Sequence, residues 1–317
     1  MMAPATESPR AILVLGNANL DVIVGHVDNW PERGTESFFP HGDLRIGGSA
    51  ANTARVLQRL GARSGLVSAH GGDFAGAAIG QAFAGVRDRV ASLDGPTGFT
   101  VGLLHRPSER TFLSSVGHLD RLDAAFFRRA LDGVALEGAL VLLSGGFAMP
   151  ALIEGHRALQ DFLRDRGAEL AIDPGWPNGN WTDTELRQAR AWLAASDHAL
   201  LNDKEAAAIA GTVDLEAMIG ALADALPYGA TLIIKRGPKG AIAHRAGRTI
   251  EVTAEALDPV DTVGAGDAFN AGYLDALAKG MSLRPCLERA VTVAGHIVSE
   301  FPRAASPIDP ARQSEPA

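Results

Sequence analysis

Val260-Asp-Thr-Val-Gly-Ala-Gly-Asp-Ala-Phe-Asn-Ala-Gly272 enters a helix through three small residues in a row, Gly264, Ala265 and Gly266. The helical pattern that follows runs to about Lys279. A helix entered this way leaves backbone N–H groups unpaired at the positive end of its dipole, an arrangement that binds anions and phosphate above all. Asp267 falls in the first turn, where it has two readings. It can complement the helix dipole. It can also take the proton of an attacking hydroxyl, because phosphoryl transfer needs a base for the nucleophile and fixed dipoles for the charge on the transferred group.

Upstream of that segment, strand-like and helix-like runs alternate. Residues 11–15 are apolar and stop at Gly16, as a buried strand entering a tight turn does. Residues 49–60 carry apolar side chains at helical spacing and end at Gly61, a C-cap residue. Further strands are expected at 64–69, 139–143, 169–172, 198–201 and 231–235, with helices at 151–166, 184–195 and 215–226. Such alternation predicts a three-layer α/β/α domain with a mostly parallel central sheet. Two stretches break the rhythm. One is 22–45, with strand-like pieces at 22–24 and 36–39; the other is 98–115, with a hairpin of 99–105 and 110–115 around Arg106-Pro-Ser-Glu109. Lacking helices to cover them, they read as a small β-sheet lid, the alternative being an edge hairpin of the main sheet. The domain then spans 10–307, with a loose tail at 1–9 and a C-terminal tail at 308–317.

Composition narrows the function classes. A chain of 317 residues with 46% hydrophobic and 21% charged residues can bury a substantial core. Its formal net charge of −8 gives no general attraction to nucleic acid or anionic membranes. A single cysteine, Cys286, leaves no internal disulfide and no cysteine-rich metal site. The nine histidines are scattered without metal-ligand spacing. With no secretory core and no transmembrane run in view, a cytoplasmic location is expected.

Asp261-Thr-Val-Gly-Ala-Gly-Asp267 resembles the signature of the ribokinase-like (PfkB) carbohydrate and nucleoside kinases, and the resemblance runs through nearly the whole chain. It implies transfer of the γ-phosphoryl of Mg·ATP to a hydroxyl, with Gly264, Ala265 and Gly266 as the anion hole and Asp267 as the catalytic base. Gly47-Gly-Ser-Ala-Ala-Asn52 resembles the family's di-glycine motif, and Gly16-Asn-Ala-Asn-Leu-Asp21 its first strand and turn. These imply substrate contacts from Asn19, Asp21, Gly47, Gly48 and Asn52, and a carboxylate and an amide together suit a polyol. Gly72-Asp-Phe-Ala-Gly76 matches a further short pattern. On the nucleotide side, Asn202-Asp-Lys-Glu205 resembles the family's magnesium and phosphate motif, with Glu205 acting on Mg2+ through water. The alternative there is an N-cap with a capping-box glutamate. Lys235-Arg-Gly-Pro-Lys-Gly240 resembles the nucleotide loop, which implies ATP contacts from Lys235, Gly237 and Gly240, and 290–299 would be the helix beside the adenine. Asp261 and the backbone of Val263 would form half of a monovalent-cation (K+) site, whose other half is expected around 303–306. Family analogy also implies a homodimer formed through the lid.

Rival classes lack their marks. No P-loop follows a strand, no full Gly-x-Gly-x-x-Gly follows the first strand, and neither Gly-x-Ser-x-Gly nor His-Glu-x-x-His occurs. A non-catalytic sugar or nucleotide sensor and an oxidoreductase on a doubly wound sheet are the remaining alternatives. For the acceptor, Asn52-Thr-Ala54 and Asn270-Ala-Gly-Tyr-Leu274 resemble the branch acting on 2-keto-3-deoxygluconate, and Ser108-Glu-Arg-Thr-Phe-Leu113 resembles many sugar kinases. Ser144-Gly-Gly146 stands where the ribokinase branch would carry a glutamate. A sugar or sugar acid is expected, 2-keto-3-deoxygluconate-like or ribose/fructose-like. A nucleoside is the alternative, with Phe38, Phe39, Phe99 and Phe112 as a shelf for its base.

Overall fold

Neighbouring residues of one strand serve opposite cores. In β1 (Ile12–Gly16), Ile12 and Val14 pack into one buried cluster while Leu13 and Leu15 pack into another. That is what a strand buried on both faces requires, and it is why these strands read as unbroken apolar runs. The computed structural model describes residues 8–25, 27, 29–30, 32–105, 110–257, 259–300 and 306–308. Most of both expected tails, the turn at 106–109 and residues 303–305 therefore lie outside the described residues.

The chain continues through β2 (Asn19–Gly25), β3 (His41–Gly47), α1 (Ser49–Arg59), β4 (Ser64–Gly71), α2 (Phe74–Ala82), β5 (Arg89–Leu93), β6 (Phe99–Leu104), β7 (Arg110–Ser115) and α3 (Ala124–Ala130). Next come β8 (Leu140–Ser144), α4 (His156–Arg164), β9 (Glu169–Asp173), α5 (Asp183–Leu193), β10 (His198–Asn202), α6 (Asp203–Ala210), α7 (Leu215–Ala225) and β11 (Thr231–Lys235). A hairpin of β12 (Ala241–Arg245) and β13 (Arg248–Val252) leads into α8 (Ala265–Ala278) and α9 (Leu283–Val298). The large sheet has nine strands in the order β13-β12-β11-β10-β9-β8-β1-β4-β5, parallel from β5 to β11 and antiparallel only at β12 and β13. Helices α1, α8 and α9 cover one face, and α3 to α7 cover the other. Among the described residues no single helix is long and apolar enough to cross a bilayer.

The expected α/β/α architecture is present, with a second sheet of four strands in the order β3-β2-β6-β7. The hairpin of β6 and β7 belongs to that separate sheet and not to an edge of the large one. Details differ from the sequence reading. Residues 36–39 have no regular structure; the strand is β3, seven residues paired in register with β2 from Asn19↔Gly47 to Gly25↔His41. Glycines at both ends of His41-Gly-Asp-Leu-Arg-Ile-Gly47 mask the alternation of Leu44 and Ile46, so pairing with β2 decides what local propensity does not. The helix expected at 151–166 splits into a single 3-10 turn, Pro150–Leu152, and α4.

Helix α8 is buried along most of its length and presses on α9 at Gly272, where a Cβ would lie 2.9 Å from the Ala290 Cα. Gly272→Val is expected to overpack this contact and cost about 1–3 kcal/mol. The check is a lowered urea midpoint at an unchanged m-value; an unchanged midpoint would show that α9 can move away freely.

Candidate functional site

Five adjacent strands end on one side of the large sheet with Gly16, Ser144, Asp173, Asn202 and Lys235. In open parallel sheets ligands bind at these carboxyl ends. Lys235 is only 8% exposed, and its Nζ donates to Asp173 Oδ2 (2.8 Å) and Asn270 Oδ1 (3.2 Å). Asn270 completes the triangle by donating from Nδ2 to Asp173 Oδ2 (2.6 Å). A Cβ placed on Gly266 would lie 3.5 Å from the Lys235 ammonium, which puts that charge beside the first turn of α8.

That first turn is left without a side-chain cap. Gly264 caps α8 with φ at 78°, a left-handed conformation that glycine takes without strain, and no side chain caps the helix. The N–H groups of the opening turn are thus left to a ligand. Asp267 lies inside this turn, and its Oδ2 accepts from Asn52 Nδ2 (2.9 Å). Thr53 Oγ1 donates to the Asp267 carbonyl (3.3 Å), so α1 fixes both the side chain and the backbone. Burial, followed by the charge of Asp173, pushes the Asp267 carboxyl up to about 7, against the Asn52 hydrogen bond and the attraction of Lys235. Burial likewise raises Glu205, with Asp173 adding to it. For Lys235 burial acts in the opposite direction, but Asp173, Glu205 and Asp267 outweigh it and its pKa is raised. The ammonium therefore stays charged.

Amides and a carboxylate line the neighbouring wall. Asn19 Nδ2 donates to Asp21 Oδ1 (2.8 Å), and Ser49 Oγ donates to Asn17 Oδ1 (2.9 Å). Gly47 faces the Asp21 carboxylate so closely that a Cβ there would overlap it. Burial pushes the Asp21 carboxyl up to about 6, against the pull of Arg45 and the Asn19 hydrogen bond. Gly48 caps α1, and its carbonyl accepts from the Asn52 N–H (2.8 Å). The residues expected to touch the acceptor, Asn19, Asp21, Gly47, Gly48 and Asn52, thus share one wall that reaches Asp267 through Asn52.

On the other flank, Asn202 and Glu205 close a capping box on α6. Asn202 Oδ1 accepts from the Glu205 N–H (2.9 Å), and Glu205 Oε2 accepts from the Asn202 N–H (3.0 Å). The structural alternative is therefore realised. It leaves Glu205 Oε1 unengaged, and the carboxyl is within electrostatic reach of Asp267 and Lys235. Among the described residues no three His, Cys, Asp or Glu side chains converge as a metal cage. Glu205, with one oxygen outside the capping box, is a single carboxylate of the kind that suits Mg2+ carried on phosphates and held through water. Gly237 and Gly240 lie in the turn that follows Lys235, and no described hydrogen bond ties them to this group.

At the entrance to α8, Asp261 Oδ1 accepts from the Val263 N–H (2.9 Å), and its Oδ2 pairs with Arg45 Nη1 (2.6 Å). Arg110 Nη1 donates to Thr262 Oγ1 (2.6 Å), so two strands of the small sheet hold the loop.

Asp173, Arg45 and Asn17 have no role in the sequence reading, and Asn270 enters it only as part of a branch pattern. Asp173 does carry a signal, a charge that ends an apolar run immediately before Pro174-Gly175. Arg45 carries none, because its partner lies 216 residues away.

The chain matches the model of the pfkB family carbohydrate kinases over residues 10–308. It is 28% identical to a nucleoside kinase of Methanothermobacter thermautotrophicus, over 92% of this chain and 90% of that protein. It is 31% identical to a fructokinase of Klebsiella pneumoniae, over 84% of each. The structure of Arabidopsis thaliana ribokinase complexed with ribose and ATP shares the fold, with a TM-score of 0.73 at 22% identity, over 93% of this chain and 95% of that one. The family match spans both sheets and every residue of the site, and with the shared ribokinase-like fold it establishes that the chain belongs to the pfkB family of carbohydrate kinases.

Proposed function

We propose that this chain transfers the γ-phosphoryl of ATP to a hydroxyl of a sugar or sugar acid, with Asp267 as the general base. One observation carries this reading: a half-buried carboxylate lies in the uncapped first turn of α8, oriented by Asn52 and flanked by a buried ammonium. When bound, Mg·ATP supplies the phosphoryl group and neutralises part of its charge. Asn52 occupies Oδ2 of Asp267, which leaves Oδ1 to take the acceptor's hydroxyl proton. Backbone N–H groups of Gly264, Ala265 and Gly266 offset charge on the group in transfer. Asn202, Glu205, Lys235, Gly237 and Gly240 serve the nucleotide side, with Glu205 holding Mg2+ through water.

Asn19, Asp21, Gly47, Gly48 and Asn52 hold the acceptor. An amide beside a carboxylate both donates to and accepts from adjacent hydroxyls. The four-stranded sheet acts as a lid that keeps out water, which competes as a phosphoryl acceptor. Its exposed Leu44, Phe99, Phe112 and Leu113 support pairing of two copies as a homodimer, and a cytoplasmic setting belongs to the same reading.

Three outcomes are expected. Across a panel of sugars, sugar acids and nucleosides, one class stimulates ADP release from Mg·ATP. Binding of Mg·ATP with silence across the whole panel would favour the sensor. Asp267→Asn lowers kcat by roughly 10²–10⁴-fold while Mg·ATP binds as before; near-wild-type turnover would refute the base assignment.

The third concerns pH. The base works ionised, so kcat rises with pH through about 7 and then levels. Stability runs the other way. Folded Asp267 titrates near 7 against an ordinary 3.8, so the fold holds a proton that the unfolded chain releases, and stability falls as pH rises between those values. Asp267→Asn removes this loss. The variant should melt higher than wild type at pH 8, by on the order of a few degrees, with the margin shrinking as the pH approaches 4. A margin independent of pH would show that Asp267 is not the group responsible.

A further inference from the structure

The entrance to α8 is governed by one buried carboxylate. Asp261, whose side chain is fully buried, closes a turn by accepting the Val263 N–H on Oδ1. The turn delivers the chain to Gly264 and the opening of α8. A carboxylate at such a depth needs a positive partner close by. Family resemblance would supply a monovalent ion, but the residues present do not suit one. Oδ2 of Asp261 faces Arg45 Nη1 at 2.6 Å, and Asp43 shares the same nitrogen at 3.1 Å. Ser306, the described member of the expected other half, gives its carbonyl to Arg59 Nε (2.8 Å). An added cation about 4 Å from the guanidinium would be repelled by about 1–4 kcal/mol.

We infer that the Arg45 guanidinium takes the place of a monovalent cation at Asp261, so that a charge built into the chain holds the anion-binding turn. The substitution has a structural consequence. An ion would tie the loop only to the segment around 303–306, whereas Arg45 belongs to β3, directly opposite Asp21 on β2. The acceptor wall and the anion-binding turn are thereby tied by one side chain. Arg45 is a positioning residue, acting through Asp261 on the turn, and Arg110 on Thr262 makes a parallel tie from β7.

The inference rests on the kinase reading only for what the turn binds, and the test separates the two. Thermal midpoints and Mg·ATP dissociation constants of the full chain are measured in choline, sodium and potassium chlorides at equal ionic strength. Wild type is expected to melt at the same temperature in all three, with affinities within about twofold. Arg45→Met, which keeps the aliphatic stem, should bind Mg·ATP more weakly in choline and regain about five- to tenfold in potassium. Arg45→Lys should remain indifferent to the salt. A wild type that melts higher in potassium alone, or binds Mg·ATP about tenfold tighter there than in choline, overturns the inference. An Arg45→Met variant as indifferent to potassium as wild type overturns it too. If Arg45→Met does not fold, wild type and Arg45→Lys decide the matter. Absence of Mg·ATP binding in every salt counts against the kinase reading, and the midpoints still test the cation.

Discussion

A single ammonium organises the carboxyl end of the large sheet. Asp173, Glu205 and Asp267 come from β9, α6 and α8, and each lies close enough to Lys235 for its charge to be felt. Carboxylates gathered in a dry place repel one another and lose hydration, so without a cation they would take up protons. Lys235 limits that. Held by Asp173 and Asn270, it cannot swing away, and its charge stays at the start of α8. Removing one partner of such a buried group typically leaves an uncompensated charge worth several kcal/mol. The geometry is thus maintained by the cost of every alternative.

A second set of polar contacts joins the small sheet and α1 to the same helix. Asp261 is reached from β3 by Arg45, Thr262 from β7 by Arg110, and Asp267 from α1 by Asn52. Three segments distant in sequence therefore converge on seven consecutive residues, 261–267. This explains why the glycines are where they are. Gly264 accepts a left-handed backbone that lets the turn enter α8, and Gly47 leaves room for the Asp21 carboxylate. A larger residue at position 47 would overlap Asp21, and one at position 264 would strain the backbone of the turn.

Much of this was legible in the chain. Apolar runs such as Ile12–Gly16 and Thr231–Lys235 announce strands buried on both faces, because such a strand can place a polar group only at its ends. Gly264, Ala265 and Gly266 ahead of a helical pattern announce a helix opened without a side-chain cap, because that property belongs to the local backbone. Asn202 and Glu205 announce a capping box for the same reason, the spacing being a property of one helical turn. The strand β3 was not legible: the seven residues from His41 have a glycine near each end and charged Asp43 and Arg45 in the middle, and become a strand by pairing with β2.

What the sequence by itself determined is local: which segments are strands or helices, where a helix starts without a side-chain cap, and which family the pattern resembles. What the tertiary structure decided is which charges meet. Arg45 and Asp261 are 216 residues apart, and Lys235 and Asp173 are 62 apart, so no periodicity or spacing relates them. Their pairing follows from the order of strands in the two sheets and from how deeply these groups are buried. Burial sets the cost of leaving a charge alone, and burial is a property of the folded chain as a whole.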